Sequence, residues 1–171
     1  MRPPILLKTI LDICFIFSAF SLVVFLISLI ITFSTGTDLS FVSIEKPPQD
    51  LNNFALWGLI LIEVIKTFAF VYGLYVLRKL IRSFFGSKLY TKLQITALNL
   101  SGRLICLSVI LGAVSEFLKK MIVDSRIELN FGFEFSFSSF WIILAFGIFL
   151  IFLSKVFENA RQLKQENELT I

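Results

Sequence analysis

Four stretches of this chain are too long and too apolar to be anything but helices that cross a lipid bilayer. They run over residues 9–33, 54–77, 92–116 and 140–157, with polar or charged segments between them. A helix needs about 17–25 apolar residues to cross roughly 30 Å of hydrocarbon, and each stretch falls in that range. Composition agrees. A soluble domain carries about 25% charged and about 45–50% apolar residues, whereas this chain of 171 residues has 16% and 57%. Its mean hydropathy is +0.88. Phe occupies 21 positions, more than the interior of so short a chain can hide, which leaves lipid as the solvent. The expected fold is a single all-α domain, a four-helix transmembrane bundle.

The first run is expected to remain as an anchor. Its core from Ile13 to Phe33 exceeds the about 7–15 residues of a signal-peptide core, and no small-x-small site follows. Span two continues past Leu77 as an amphipathic extension, residues 78–85. There Leu77, Leu80, Ile81, Phe84 and Phe85 share one helical face and the cations take the other. Span three opens on Thr91-Lys92-Leu93-Gln94, a capping box in which Thr91 accepts from an amide and Gln94 reaches back. Between spans three and four, Ile127, Leu129, Phe131, Phe133, Phe135 and Phe137 alternate with polar residues. Period two predicts a strand, here a small extracytoplasmic β-ribbon. After Phe157 a charged tail, residues 158–171, continues the helical stripe of Val156, Ala160 and Leu163.

Lys and Arg set the orientation of short loops. The middle loop carries Arg78, Lys79, Arg82, Lys88 and Lys92 and no acid, and Arg2, Lys8, Lys155, Arg161 and Lys164 lie on the same side. The opposite side carries Lys46, Lys119, Lys120 and Arg126. Both termini are therefore expected in the cytoplasm of a bacterial cell, with the protein multi-pass in its inner membrane. Arg78, Lys79, Arg82, Lys88 and Lys92 are expected to contact the inner leaflet. The formal charge of +4 comes from these boundary clusters rather than a soluble basic face, which argues against direct nucleic-acid binding. Cys14 and Cys106 both lie inside apolar runs and read as buried small hydrophobes rather than a disulfide framework.

The charges inside the spans are Glu63, Lys66 and Arg103. Each costs at least about 2.5–3.5 kcal/mol at mid-bilayer, so each needs a partner. Glu63 and Lys66 share a helix face, and depth counted from Leu77 matches Arg103 to them. Two readings stay open: an ion or proton site, or a buried ion pair that locks spans two and three together. Ala69 with Gly73, and Ser108 with Gly112, have the small-x-x-x-small spacing of close helix contacts, which chance also produces in apolar sequence. Catalysis has little to use. The chain has no His, no Cys pair at zinc spacing and no Gly-rich phosphate loop. No cofactor and no enzymatic activity are expected.

Two segments resemble a bacterial family of four-span proteins, domain of unknown function 2975. One is Leu153-Ser154-Lys155-Val156-Phe157 through Leu163 to the closing Glu168-Leu169-Thr170-Ile171. The other is Gly86-Ser87-Lys88-Leu89-Tyr90-Thr91 with Leu98 and Gly102. Tyr90 stands where the family usually has Phe, and Gln94 and Asn99 stand in a region that is usually basic. The resemblance implies the span order. Because such members are often encoded beside a small helix-turn-helix regulator, it also implies a cytoplasmic partner of that kind. The function expected is a regulatory or interaction protein that engages this partner through its basic loop and its tail, with Leu163, Glu166, Glu168, Leu169 and Ile171 as contacts. The alternative is a small transporter or channel using Glu63, Lys66 and Arg103. A homo-oligomer is compatible with either.

Overall fold

The computed structural model describes residues 5–35, 53–84, 91–124 and 137–169. They form four helices: α1 (Ile5–Thr35), α2 (Asn53–Phe84), α3 (Lys92–Asp124) and α4 (Phe137–Leu169). Each contains a segment long and apolar enough to span a membrane: Lys8–Ile31, Trp57–Ile81, Lys92–Met121 and Phe140–Asn167. The protein is a multi-pass membrane protein. In hydrocarbon every backbone polar group must be satisfied within the protein, and a helix does so within its own segment.

Among the described residues there is no strand, which corrects the expected β-ribbon. The segment expected between spans three and four, residues 117–139, is shortened at both ends. α3 continues through Asp124, and α4 begins at Phe137, the last of the alternating phenylalanines. The physical reason is that a helix already propagating adds a hydrogen bond for each residue it fixes. Lys119, Lys120 and Met121 are good helix formers and extend it. The rest of the alternating segment, residues 125–136, lies outside the described residues. The fold class is all-α.

Neighbours in sequence are neighbours in space. α2 packs on α1 and on α3, and α3 packs on α4. Every pair is antiparallel, because contacts rise along one helix as they fall along the next. Asp12 meets Arg78 while Phe15 meets Tyr75, and Gln94 meets Ser83 while Ser115 meets Glu63. The hairpin of α2 and α3 is pinned at its turn. Thr91 N–H donates to Gln94 Oε1 at 3.0 Å, and Gln94 N–H donates to Thr91 Oγ1 at 3.3 Å. These are the two arms of the expected capping box. The buried Gln94 amide also donates to Ser83 O and Oγ, both at 3.0 Å, joining the first turn of α3 to the last turn of α2.

Small residues set how closely the helices approach. A Cβ on Gly73 would lie 3.3 Å from Leu104 Cβ and from Ile105 Cγ1. On α3, Ser101, Ser108 and Ser115 are buried at a spacing of seven. Between α3 and α4 the approach is tighter. A Cβ on Gly102 would lie 2.7 Å from Gly147 O, and one on Gly147 would lie 2.6 Å from Cys106 Sγ.

The helices, 31 to 33 residues long, reach about 46–50 Å at 1.5 Å per residue, more than the roughly 30 Å of hydrocarbon. Trp57, Met121 and Trp141 stand at one end of the apolar region, and Asp12, Arg78 and Lys155 at the other. Trp57 and Arg78 are separated by roughly 31 Å along α2, which matches a bilayer. Beyond Arg78 the bundle stays packed. Leu80 is buried in one cluster with Leu77, Leu98, Ile105 and Leu150, and Phe157 packs against it.

Candidate functional site

Glu63 is the hub of a polar cluster that joins two helices inside the apolar region near Trp57. Its Oε1 accepts from Ser115 Oγ and from Lys119 Nζ, each at 2.8 Å. Its Oε2 is ion-paired with Lys66 Nζ. Side-chain direction explains the convergence. In a helix each Cα–Cβ bond tilts toward the N-terminus. Lys66, three residues after Glu63 on α2, leans back toward it. Lys119 on the antiparallel α3 starts nearer the Trp57 end and leans inward to the other oxygen of the same carboxylate. The Lys66 stem crosses α3 at Gly112, where a Cβ would lie 3.4 Å from Lys66 Cδ. Three separate charges in hydrocarbon would each cost about 2.5–3.5 kcal/mol or more. Gathered around one carboxylate they form a strut between α2 and α3.

Arg103 is not part of this cluster. It is exposed, on the α3 face that carries the exposed Leu100, Leu107 and Ile110. The reason lies in where the hairpin turns. α2 runs past Leu77 to Phe84, so Lys66 lies roughly 27 Å from the turn and Arg103 only about 16 Å from Lys92. Arg103 therefore stands near the level of Gly73, whose neighbours on α3 are Leu104 and Ile105. From there a guanidinium can snorkel toward the Arg78 end of the bundle. The residues that take the place expected of Arg103 are Ser115 and Lys119. The signal that points to them is the spacing of seven among Ser101, Ser108 and Ser115, with Lys119 one turn beyond.

A second charged contact marks the other end of the bundle. Arg78 Nε donates to Asp12 Oδ1 and is ion-paired with it. The guanidinium also lies 5.1 Å from the centre of the Phe15 ring, a cation–π arrangement. Of the other cations expected at a leaflet, Lys79 and Lys92 are exposed, while Lys88 and the Arg82 side chain lie outside what is described. In the tail, Leu163 is 61% exposed and Glu166 is exposed. The Glu168 and Leu169 side chains, and Ile171, lie outside what is described.

Each span is one continuous helix. The broken helices that build midplane binding sites in many transporters do not occur among the described residues.

The model of the family described as "Protein of unknown function (DUF2975)" matches residues 7–171. The chain belongs to this family. The match covers all four helices, so the four-span architecture described here is that of a family member along its length. No curated protein and no solved structure matches the chain.

Proposed function

We propose that this family member is a non-enzymatic interaction protein of the bacterial inner membrane. Both termini face the cytoplasm, and the Arg78 end of the bundle, together with the tail of α4, engages a soluble cytoplasmic partner. The observation that carries this reading is the length of α4. It continues without interruption past Lys155 to Leu169, and Leu163 on that extension is 61% exposed. Membrane insertion does not require this extension, and an isolated helix so short is marginal in water unless something packs on it. The packed core around Leu80 and Leu98 gives the extension a rigid base. A small helix-turn-helix regulator is the partner class that the family resemblance suggests. In this reading Glu63 with Lys66, Lys119 and Ser115 is a strut that keeps the bundle rigid.

Deletion of Leu163 to Ile171 tests the proposal. Insertion and thermal stability are expected to stay within about 0.5 kcal/mol of the parent, as for exposed positions in general. Crosslinking of a cytoplasmic protein to a photoreactive residue at position 166 in the parent chain should fall at least about tenfold with Leu163→Glu, a loss of about 1.4 kcal/mol. A truncated protein that keeps every co-purifying cytoplasmic protein and its cellular phenotype would refute the role given to the tail.

A further inference from the structure

The Glu63 cluster holds one more positive charge than a strut needs. Glu63 carries one negative charge, and both Lys66 and Lys119 pair with it. Nearby on α3 the exposed Glu116 and Lys120 add one charge of each sign, at the four-residue spacing that lets them offset each other. One cation is therefore left uncompensated at this end of the α2–α3 seam. A surplus charge beside hydrocarbon is costly and calls for a partner.

Position decides which lysine is free to take one. Ser115 opposes Glu63, which lies six residues from Trp57 on α2, or roughly 9 Å. Lys66 is deeper still, roughly 14 Å from the level of Trp57, and is held at Glu63. Lys119 stands four residues beyond Ser115, so its backbone lies within roughly 3 Å of the level of Trp57, in the belt where interfacial aromatics stand. Its ammonium has three N–H donors. One goes to Glu63 Oε1 at 2.8 Å, and with 20% of the side chain exposed the other two can be offered outward. The anionic acceptors that a bilayer presents at its boundary are phosphate oxygens, which an ammonium binds as a point charge. Glu63 draws the ammonium below that boundary, and a bilayer thins locally around such a cation, which brings the phosphate to it.

We infer that Lys119, oriented by Glu63, binds the phosphate group of a phospholipid in the leaflet at the Trp57 end. The site does not depend on what the α4 tail engages.

The test uses the full chain in maltoside micelles, which carry no phosphate, with phosphatidylglycerol that bears a photoreactive headgroup. Adducts are mapped by mass spectrometry and compared per folded molecule. The parent should be labelled within residues 112–121, and unlabelled phosphatidylglycerol should displace the probe while diacylglycerol does not. Lys119→Gln leaves Glu63 paired with Lys66. It should cut this labelling at least about tenfold, the weight of one hydrogen bond to a charged group, with labelling elsewhere on the chain unchanged. Lys66→Gln makes the cluster neutral and should also reduce labelling. Glu63→Gln raises the cluster from one positive charge to two and should increase labelling, even though it weakens the bundle. Equal labelling of the parent and Lys119→Gln would overturn the site. A decrease with Glu63→Gln would overturn the role of the surplus charge. Displacement by inorganic phosphate as readily as by the lipid would overturn the lipid as the source and assign the site to a soluble phosphate.

Discussion

Glu63→Gln is expected to lower the stability of the bundle by about 3 kcal/mol, the lower end of the roughly 3–5 kcal/mol seen when one partner of a buried ion pair is removed. The amide keeps the shape of the carboxylate and can still accept from Ser115. It cannot neutralise Lys66 and Lys119, which would then meet as two like charges beside a neutral group. The lower end applies because the lysine side chains remain 32% and 20% exposed and can move toward the bundle surface. Adding Lys119→Gln to Glu63→Gln should recover part of the loss. Adding Arg103→Gln should not, because Arg103 lies roughly 24 Å from Lys119 along α3 at 1.5 Å per residue. Unfolding of the parent, the three single variants and the two doubles in mixed micelles completes both cycles. The Glu63–Lys119 cycle should give a coupling of at least about 0.5 kcal/mol, and the Glu63–Arg103 cycle should be additive to within about 0.3–0.5 kcal/mol. Coupling to Arg103 in place of Lys119 would contradict the helix register described here.

Gly102→Ala is expected to be comparably damaging despite adding a single methyl group. That methyl would lie 2.7 Å from Gly147 O, 2.8 Å from Ile151 Cγ1 and 3.1 Å from Ile151 N. Two of these atoms are backbone and cannot rotate away, so α3 and α4 must separate along their contact. Overpacking costs about 1–3 kcal/mol and occasionally more, and this site belongs at the upper end. Gly147→Ala meets a different obstacle, the Cys106 sulfur at 2.6 Å, with the nearest backbone atoms at 3.2 and 3.3 Å. Cys106→Ala should therefore relieve Gly147→Ala and leave Gly102→Ala unrelieved. Thermal unfolding of the three variants and the two doubles decides this. A neutral Gly102→Ala would mean that α3 and α4 pack further apart than described.

How much of this was legible in the sequence depends on the range of the interaction. The four spans rest on local hydropathy, and the capping box of Thr91 and Gln94 on two residues three apart, so both could be read directly. The helix ends were harder to read. Lys119, Lys120 and Phe137 are as acceptable in a helix as in a loop, and the alternating phenylalanines suggest a strand only if the chain there is not already helical. The partners of Glu63 on α3 were out of reach for a different reason. They depend on where the α2–α3 hairpin turns, and counting depth from Leu77 instead of Phe84 moves the register by two helical turns. Gly102 and Gly147 are on different helices and share no motif, so their contact appears only when the helices are placed. The buried serines of α3 are an exception. Their spacing of seven already marks one face, with Lys119 a turn beyond it.

The proposed function stands on the side of the membrane to which the α4 extension is exposed. Reporter fusions after Ser43, Gly86, Asn130 and Ile171 measure this most directly, with a reporter active only outside the cytoplasm and a second active only inside. Ser43 and Asn130 are expected to report outside while Gly86 and Ile171 report inside, as the cations around Arg78 and Lys79 require. An Ile171 fusion active outside would place the tail beyond the reach of any cytoplasmic partner and contradict the proposal.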